Sequence, residues 1–225
     1  MDDAHMSLLY GWPTAAKFDR RVPKEKFYDH GTVAPAVREK FVAEVQRITW
    51  AYKLAETTIN LAGNAAVPEI QIFEIDAKGE DVTDPVLTAI DKAIPFPIIF
   101  EINRGDGETR STRMVAALKQ LASGAPKVGA YYSTGWQSAW AERQPLPTSI
   151  TLSALYTALL DPLTPVGARP GEDVSEVAAR LETVRKLERE IVALERKLRT
   201  EPQFNRKIEL RRALKTKQAE LDSLR

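Results

Sequence analysis

The chain has 225 residues, and its 32 Lys and Arg against 31 Asp and Glu give a formal net charge of +1, which points to no class of partner. It contains no cysteine, which excludes disulfides, thiolate metal sites and a cysteine nucleophile. Only His5 and His30 are histidines, so we do not expect Ser-His-Asp catalysis or a multi-histidine metal centre. No apolar run approaches the ~20 residues of a membrane span, and the N-terminus does not resemble a signal peptide. We therefore expect a cytoplasmic globular protein.

Residues 1–161 predict an α/β domain. Apolar side chains at helical spacing predict a helix over 37–57, and a β-branched run predicts a strand over 69–76. Thr83-Asp84-Pro85 is typical of a helix start, and 95–102 predicts the next strand. A strand, a helix and a strand in this order indicate a parallel crossover.

The rest of this domain predicts a hairpin, a further strand and a last helix. A glycine-rich turn at 104–107 precedes a strand over 112–118, another strand covers 128–134, and a helix covers 149–160. The predicted fold class is α/β, with a small mixed β-sheet and flanking helices.

The C-terminal part differs from the rest of the chain. A segment rich in proline and glycine, 162–172, predicts a linker, and 173–225 has no glycine and a single proline, Pro202. Apolar residues there recur every three or four positions on both sides of Pro202, which cannot continue a helix interior. We expect two helices that fold back on each other as an antiparallel helical hairpin of coiled-coil type.

The strand over 69–76 ends in an acid-x-Lys pattern. Alternation places Glu74, Asp76 and Lys78 on one face, and Glu44 and Glu56 belong to the helix predicted before it. This tip resembles the end of the nuclease half-motif in restriction-endonuclease-like folds, where carboxylates hold Mg²⁺ and the lysine assists the attacking water. The pattern is short and occurs often by chance, so a solvated strand end is the competing interpretation.

Two other features have both a structural and a functional interpretation. Glu101, near the end of its strand, is expected to form a structural ion pair with Lys78 or Arg113 rather than to act as a catalytic acid. Aromatic residues either fill the core or bind bases and protein partners. They form two groups: Tyr131, Tyr132, Trp136 and Trp140, and the N-terminal Trp12, Phe18, Phe27 and Tyr28, which are interleaved with Lys17, Arg20, Arg21, Lys24 and Lys26.

The hairpin carries the candidate interaction surface. The apolar candidates for partner binding are Leu187, Ile191, Leu194, Leu198, Phe204 and Ile208. The basic candidates for DNA binding are Arg196, Lys197, Arg199, Arg206, Lys207, Arg211, Arg212 and Lys215. Such a surface fits phosphate contact, an acidic or apolar protein groove, or a solvated coiled-coil face.

The order of several stretches resembles a bacterial family known as domain-of-unknown-function family 4391. These stretches are LYGWP (9–13), RVPKEKFY (21–28), ITWAYKL (48–54) with TIN (58–60), IQIFEI (70–75), IDKAIPFPIIF (90–100), YYSTGW (131–136) and QFNRKIEL (203–210). The resemblance implies a companion of a Swi/Snf-type helicase and a DNA methyltransferase in restriction-modification or phage-defence clusters. It supplies no catalytic residues.

The leading hypothesis is a non-catalytic accessory subunit without a cofactor, which contacts the helicase or the methyltransferase and leaves DNA contact and self-association open. One alternative is a Mg²⁺-dependent nuclease that uses Glu74, Asp76 and Lys78. The other is a plain DNA-binding module.

Overall fold

The computed structural model describes residues 8–28, 33–120, 126–167, 169 and 171–225, and the chain divides into two compact units, Met1–Leu163 and Thr164–Arg225. The division falls inside the segment 162–172 that the sequence predicts as a linker. His5 and His30 both lie outside the described residues.

The first unit is built on one mixed β-sheet with flanking helices, which confirms the predicted fold class. Its described strands are β1 (Lys17–Arg21), β2 (Val45–Leu54), β3 (Ile70–Ala77), β4 (Ile98–Arg104), β5 (Ser111–Gln120), β6 (Lys127–Ser133) and β7 (Gln137–Ser138). They lie in the order β1-β2-β3-β4-β5-β6, and β7 pairs with β5. The pair β3–β4 is parallel and the other pairs are antiparallel.

The described helices of this unit are α1 (Glu25–Tyr28), α2 (Pro35–Glu44), α3 (Glu56–Ile59), α4 (Asp84–Ala93) and α5 (Leu152–Leu160). Helix α4 is the expected crossover between β3 and β4. It buries Val86, Leu87 and Ile90 in the same core cluster as Phe73 and Phe100. A parallel pair must have such a crossover, and the apolar face of α4 covers this side of the sheet.

The prediction of one helix over 37–57 is wrong in its second half, because helix α2 ends at Glu44 and strand β2 follows. Strand β2 shifts register between Val45 and Arg47 and again between Trp50 and Tyr52. Each bulge adds a residue and replaces the two-residue alternation with a spacing close to that of a helix. Every third side chain of β2 is therefore buried: Val45, Ile48, Ala51 and Leu54.

A buried ion pair connects α4 to strand β5. Asp91 and Lys119 are 2.6 Å apart, with side chains 1% and 0% exposed. Lys119 also donates hydrogen bonds to the carbonyl oxygens of Ile94 and Phe96, and Tyr131 of β6 donates to Asp91 at 2.5 Å. Burial raises the pKa of Asp91 and lowers that of Lys119, while the attraction between the two groups opposes both shifts.

The second unit is a pair of antiparallel helices, α6 (Val174–Thr200) and α7 (Phe204–Leu224), as expected. Asp173 caps α6 by accepting hydrogen bonds from the backbone of Ser175 and Glu176, and Glu176 bonds back to Asp173. The antiparallel arrangement follows from Arg180, which donates to the carbonyl of Leu224 at the far end of α7.

Replacement of Lys119 by Met should lower the free energy of unfolding by about 3–5 kcal/mol, because it leaves a carboxylate buried without its cation. The double replacement Asp91→Leu with Lys119→Met should recover most of that loss. Urea denaturation followed by circular dichroism measures both. Glu80→Ala is the control, because it removes an exposed ion pair with Arg104 and should cost a small fraction of the buried pair.

Candidate functional site

The acid-x-Lys tip lies in a polar cleft of about 420 Å³ at the carboxyl ends of the parallel strands β3 and β4. Ligands of open α/β sheets bind preferentially at this position, outside the carboxyl ends of parallel strands. We call it the carboxyl-end cleft. Its polar lining includes Arg21, Gln46, Arg47, Asp76, Lys78, Asn103, Asp106 and Arg110.

Asp76 is held by two guanidinium groups. Arg47 donates to its Oδ2 from Nε at 2.8 Å and from Nη2 at 2.7 Å, and Arg110 donates to Oδ1 at 2.9 Å. Asn103 of the neighbouring strand lies 3.4 Å from Oδ1. Both carboxylate oxygens therefore already accept charge-assisted hydrogen bonds. Sequence reasoning missed both arginines, which lie 29 and 34 positions from Asp76.

Lys78 lines the same cleft but interacts with another element. Its Nζ donates to the carbonyl oxygen of Val42 at 2.6 Å, and its backbone N–H donates to that of Glu44. The ammonium group and the backbone N–H of Lys78 thus each satisfy one carbonyl group near the C-terminus of α2, where the helix leaves acceptors without a partner. A structural role for Lys78 is thus visible.

Glu44, which the sequence places near a possible metal site, is engaged at the start of α4. Its carboxylate accepts hydrogen bonds from the backbone N–H and the hydroxyl of Thr83, at 2.8 and 2.9 Å, and it pairs with Lys40 at 3.2 Å. Thr83 is the N-cap residue of α4. A carboxylate near this end also stabilises the helix dipole.

Glu101 has a different partner from the expected one. Arg143, rather than Lys78 or Arg113, binds both of its carboxylate oxygens, at 2.6 and 2.9 Å. The indole N–H of Trp12 donates to the same carboxylate at 2.7 Å. The expectation of a structural ion pair for this buried group is met through another arginine, one that follows the last strand.

Glu74 faces Glu101 across the parallel pair of strands. Burial, and then the negative charge of Glu101, raise the pKa of Glu74, and the nearby Arg143 opposes this shift. Glu74 is therefore protonated more readily than an ordinary glutamate, and a protonated carboxyl group is the weaker metal ligand.

The charges of the carboxyl-end cleft favour an anion. Four lining residues are cationic, namely Arg21, Arg47, Lys78 and Arg110, against the two acids Asp76 and Asp106. Among the described residues, no three His, Cys, Asp or Glu side chains are grouped as a metal site would require. A guanidinium on each side of Asp76 repels a divalent cation, because like charges a few ångströms apart are unfavourable.

The N-terminal aromatic residues divide between the core and the surface. Phe27 and Tyr28 are buried in the core cluster, as the structural interpretation predicts. Phe18 is half-buried, and its ring centroid lies 4.0 Å from that of Trp50. Both of these rings border an open recess, and Trp50 also packs against the core cluster.

The later aromatic residues are also divided. Tyr131 bonds to the buried Asp91, and Trp136 lies beneath the guanidinium groups of Arg104 and Arg113, at 4.1 and 5.4 Å from the ring centroid. Trp140 is exposed, with its indole N–H bonded to the carbonyl of Gly107. Most of this group therefore serves the structure of the first unit.

The apolar candidates on the hairpin differ in exposure. Leu187 and Ile191 are buried, and Leu194, Leu198 and Ile208 are half-buried. Phe204 is 72% exposed. Val192, which was not among the predicted partner-binding residues, is 64% exposed. We call the segment 192–208 the distal hairpin.

The basic candidates of the hairpin point to solvent. Arg196, Lys197, Arg199, Arg206, Arg211, Arg212 and Lys215 are exposed and Lys207 is half-buried. Within the described residues, none of these eight forms an ion pair with a carboxylate. The carboxylates of the described residues therefore do not neutralise these charges.

A family model described as "Domain of unknown function (DUF4391)" matches residues 10–221, so the chain belongs to that family. Searches of curated proteins and of solved structures found no match. None of the described helices combines the length and the apolar character needed to cross a membrane. The resemblance seen in the sequence is confirmed at the level of the family.

Calorimetric titration with MgCl₂ or MnCl₂ tests the metal interpretation of the cleft. We expect no saturable binding to the wild-type chain, and no difference in plasmid cleavage among wild type, Asp76→Ala and Lys78→Ala, because the arginines already neutralise Asp76. Saturable Mn²⁺ binding together with cleavage, both lost in Asp76→Ala, would establish the nuclease alternative.

Glu74 makes stability depend on pH. Its folded-state pKa is raised above the ordinary value of 4.5, so between these two values the folded state binds more protons than the unfolded state. This contribution to stability is therefore lost as the pH rises through that window. Glu74→Gln removes the effect, and its stability relative to wild type should increase from pH 4.5 towards neutrality in urea denaturation. A constant difference would contradict the assignment.

Proposed function

We propose that this chain is a non-catalytic accessory subunit of a bacterial restriction-modification or anti-phage defence complex in the cytoplasm. In this proposal the distal hairpin docks a Swi/Snf-type helicase or a DNA methyltransferase of the same system. The observation that carries the proposal is the exposure of the apolar side chains of Val192 and Phe204 on the distal hairpin. In the rest of α6 the Val, Leu and Ile side chains are buried.

The two parts of α6 differ sharply. From Val174 to Ile191 its Val, Leu and Ile residues are buried, as expected for helices that pack along a regular seam. Beyond Ile191, Val192 and the first residue of α7, Phe204, are exposed. Single exposed apolar residues are common, but Phe204 presents an aromatic ring to solvent four positions before the half-buried Ile208 of the same helix, and aromatic residues are enriched in protein interfaces.

The charge of this region supports the same proposal. Exposed basic residues alternate with the apolar residues along α6 and α7, and charged residues are typical of the rim of an interface. Such a rim accelerates association with an acidic partner and is screened by salt. It also fits the DNA phosphates that a helicase or methyltransferase brings close to its subunits.

The non-catalytic part of the proposal rests on the carboxyl-end cleft. Asp76 is paired with two arginines, and Lys78 bonds to a helix carbonyl. The nuclease alternative has in its favour only that both residues line one cleft at the carboxyl ends of parallel strands. The arrangement of charge supports binding of an anion over activation of water by a metal.

Phe204→Asp should abolish partner binding and leave the hairpin folded, because it puts a charge at the exposed centre of the proposed interface. The measurement is an affinity purification of the tagged full chain from its native cells, in low and high salt, with mass spectrometry. We expect a helicase or methyltransferase in stoichiometric amounts with wild type, and none with the variant.

Gln218→Asp is the matched control, because it adds the same negative charge at an exposed position of α7 outside the distal hairpin. It should retain the partner. Thermal melting by circular dichroism should give the same transition for both variants. If wild type purifies alone, or if Phe204→Asp retains the partner, the docking proposal is refuted.

A further inference from the structure

A continuous groove runs along strand β1 from the carboxyl-end cleft to an aromatic recess. The cleft adjoins a small recess of about 160 Å³, and the two share Arg21, Gln46 and Arg47. That recess in turn shares Arg21, Val22 and Pro23 with a larger recess of about 510 Å³. Because Arg21 lines all three, they form one path, which we call the β1 groove.

The aromatic recess offers a platform for stacking. The rings of Phe18 and Trp50 are tilted by 41° with their centroids 4.0 Å apart, and Trp50 stacks on Phe73 at an interplanar angle of 7° with centroids 6.1 Å apart. The guanidinium of Arg20 lies 4.7 Å above the ring of Phe18. Any purine or pyrimidine base can stack on such rings, so the contact does not depend on nucleotide sequence, and Arg adds a cation–π contribution.

The backbone of β1 is shaped at the same place. Its register with β2 shifts between Lys17 and Arg20, and Asp19 between them has a φ of +50°. A bulge with a residue in the left-handed region re-aims the neighbouring side chains, and such features are frequent beside binding sites. Here the neighbours are Phe18, one of the two rings of the platform, and Arg20, whose guanidinium lies over that ring.

The charge of the groove is positive along its whole length. Its lining contains seven basic residues against three acidic ones. Charged residues on an edge strand also protect that strand from pairing with other chains. This protection can explain only the two groove residues that lie on β1, Arg20 and Arg21. Arg47, Lys78 and Arg110 are not on the edge strand, so edge protection does not explain them.

Arg21 stands at the junction of the three recesses. It is exposed, and among the described residues its side chain forms no hydrogen bond or ion pair with another residue. Arg47 and Arg110 use some of their donors on Asp76, and each guanidinium has five N–H groups, so donors remain for a ligand. Asp76 thus holds two arginines in place beside the unpaired Arg21.

We propose that the β1 groove binds single-stranded nucleic acid, with phosphates in the carboxyl-end cleft and along Arg21, and with a base on the Phe18–Trp50 platform. A duplex keeps its bases stacked inside the helix and cannot place one in the aromatic recess without extrusion, which costs free energy. Alternating phosphates and splayed bases of a single strand match a groove that is cationic at one end and aromatic at the other.

Fluorescence anisotropy with the full chain and a labelled oligothymidylate of about twelve nucleotides tests this directly. Oligouridylate is a second arm, which distinguishes DNA from RNA, and a duplex of the same length is a third. We expect single strands to bind at least tenfold more tightly than the duplex. Arg21→Ala should weaken binding about tenfold. It should also reduce the slope of log K against log salt concentration by about 0.7, the value for one phosphate contact on a single strand.

Phe18→Leu isolates the platform, because it keeps an apolar side chain and removes the ring. It should weaken single-strand binding at least fivefold and leave the weak duplex binding unchanged. Lys127→Ala is the matched control for Arg21→Ala, since it removes one exposed charge from β6 at the opposite edge of the sheet. It should bind as wild type does, and circular dichroism melts should show all variants folded.

Four results would overturn the proposal. They are equal affinity for the duplex and the single strand, wild-type affinity in both groove variants, no binding of any oligonucleotide, and displacement of the oligonucleotide by a polyglutamate peptide of similar charge. The docking proposal does not depend on these results, because its test measures a different surface.

Discussion

The ion pairs that Asp76 forms with Arg47 and Arg110 determine the charge of the carboxyl-end cleft. Asp76 lies at the end of a parallel strand, where α/β sheets bind ligands, and it is surrounded by Arg47 from the neighbouring strand and Arg110 from the turn before β5. These pairs connect three parts of the first unit across the edge of the sheet. They also make the cleft cationic: a carboxylate that could have attracted a cation instead orients two guanidinium groups, whose remaining donors are available to an anion.

Much of the fold follows from local sequence patterns. The crossover β3–α4–β4 and the helical hairpin were predicted because each element has a single period of apolar residues and clear start signals. Strand β2 was wrongly predicted as a helix, because its two bulges give it a buried residue at every third position, a spacing close to that of a helix. Strand β1 was not predicted, because an edge strand of mostly charged residues has no apolar alternation to detect.

The candidate site was only half visible in the sequence. Asp76 and Lys78 stood out by their spacing, but their partners did not, because those contacts are set by strand pairing over about thirty residues. The misassignment of β2 as a helix also hid Arg47, which belongs beside Asp76 once β2 pairs with β3. Glu101 shows the same limit: burial predicts that it needs a cation, but only the fold selects Arg143. The β1 groove arises from three chain segments that no local pattern connects.

We propose that this chain works by binding, at one surface in each of its two units, and not by cutting DNA. Hydrogen–deuterium exchange of the full chain, with and without saturating oligothymidylate in metal-free buffer, is the decisive measurement. We expect slower exchange in 17–27 and 45–50, with unchanged exchange in 192–208. Protection confined to the hairpin, or protection of the carboxyl-end cleft only when Mg²⁺ is added, would contradict it.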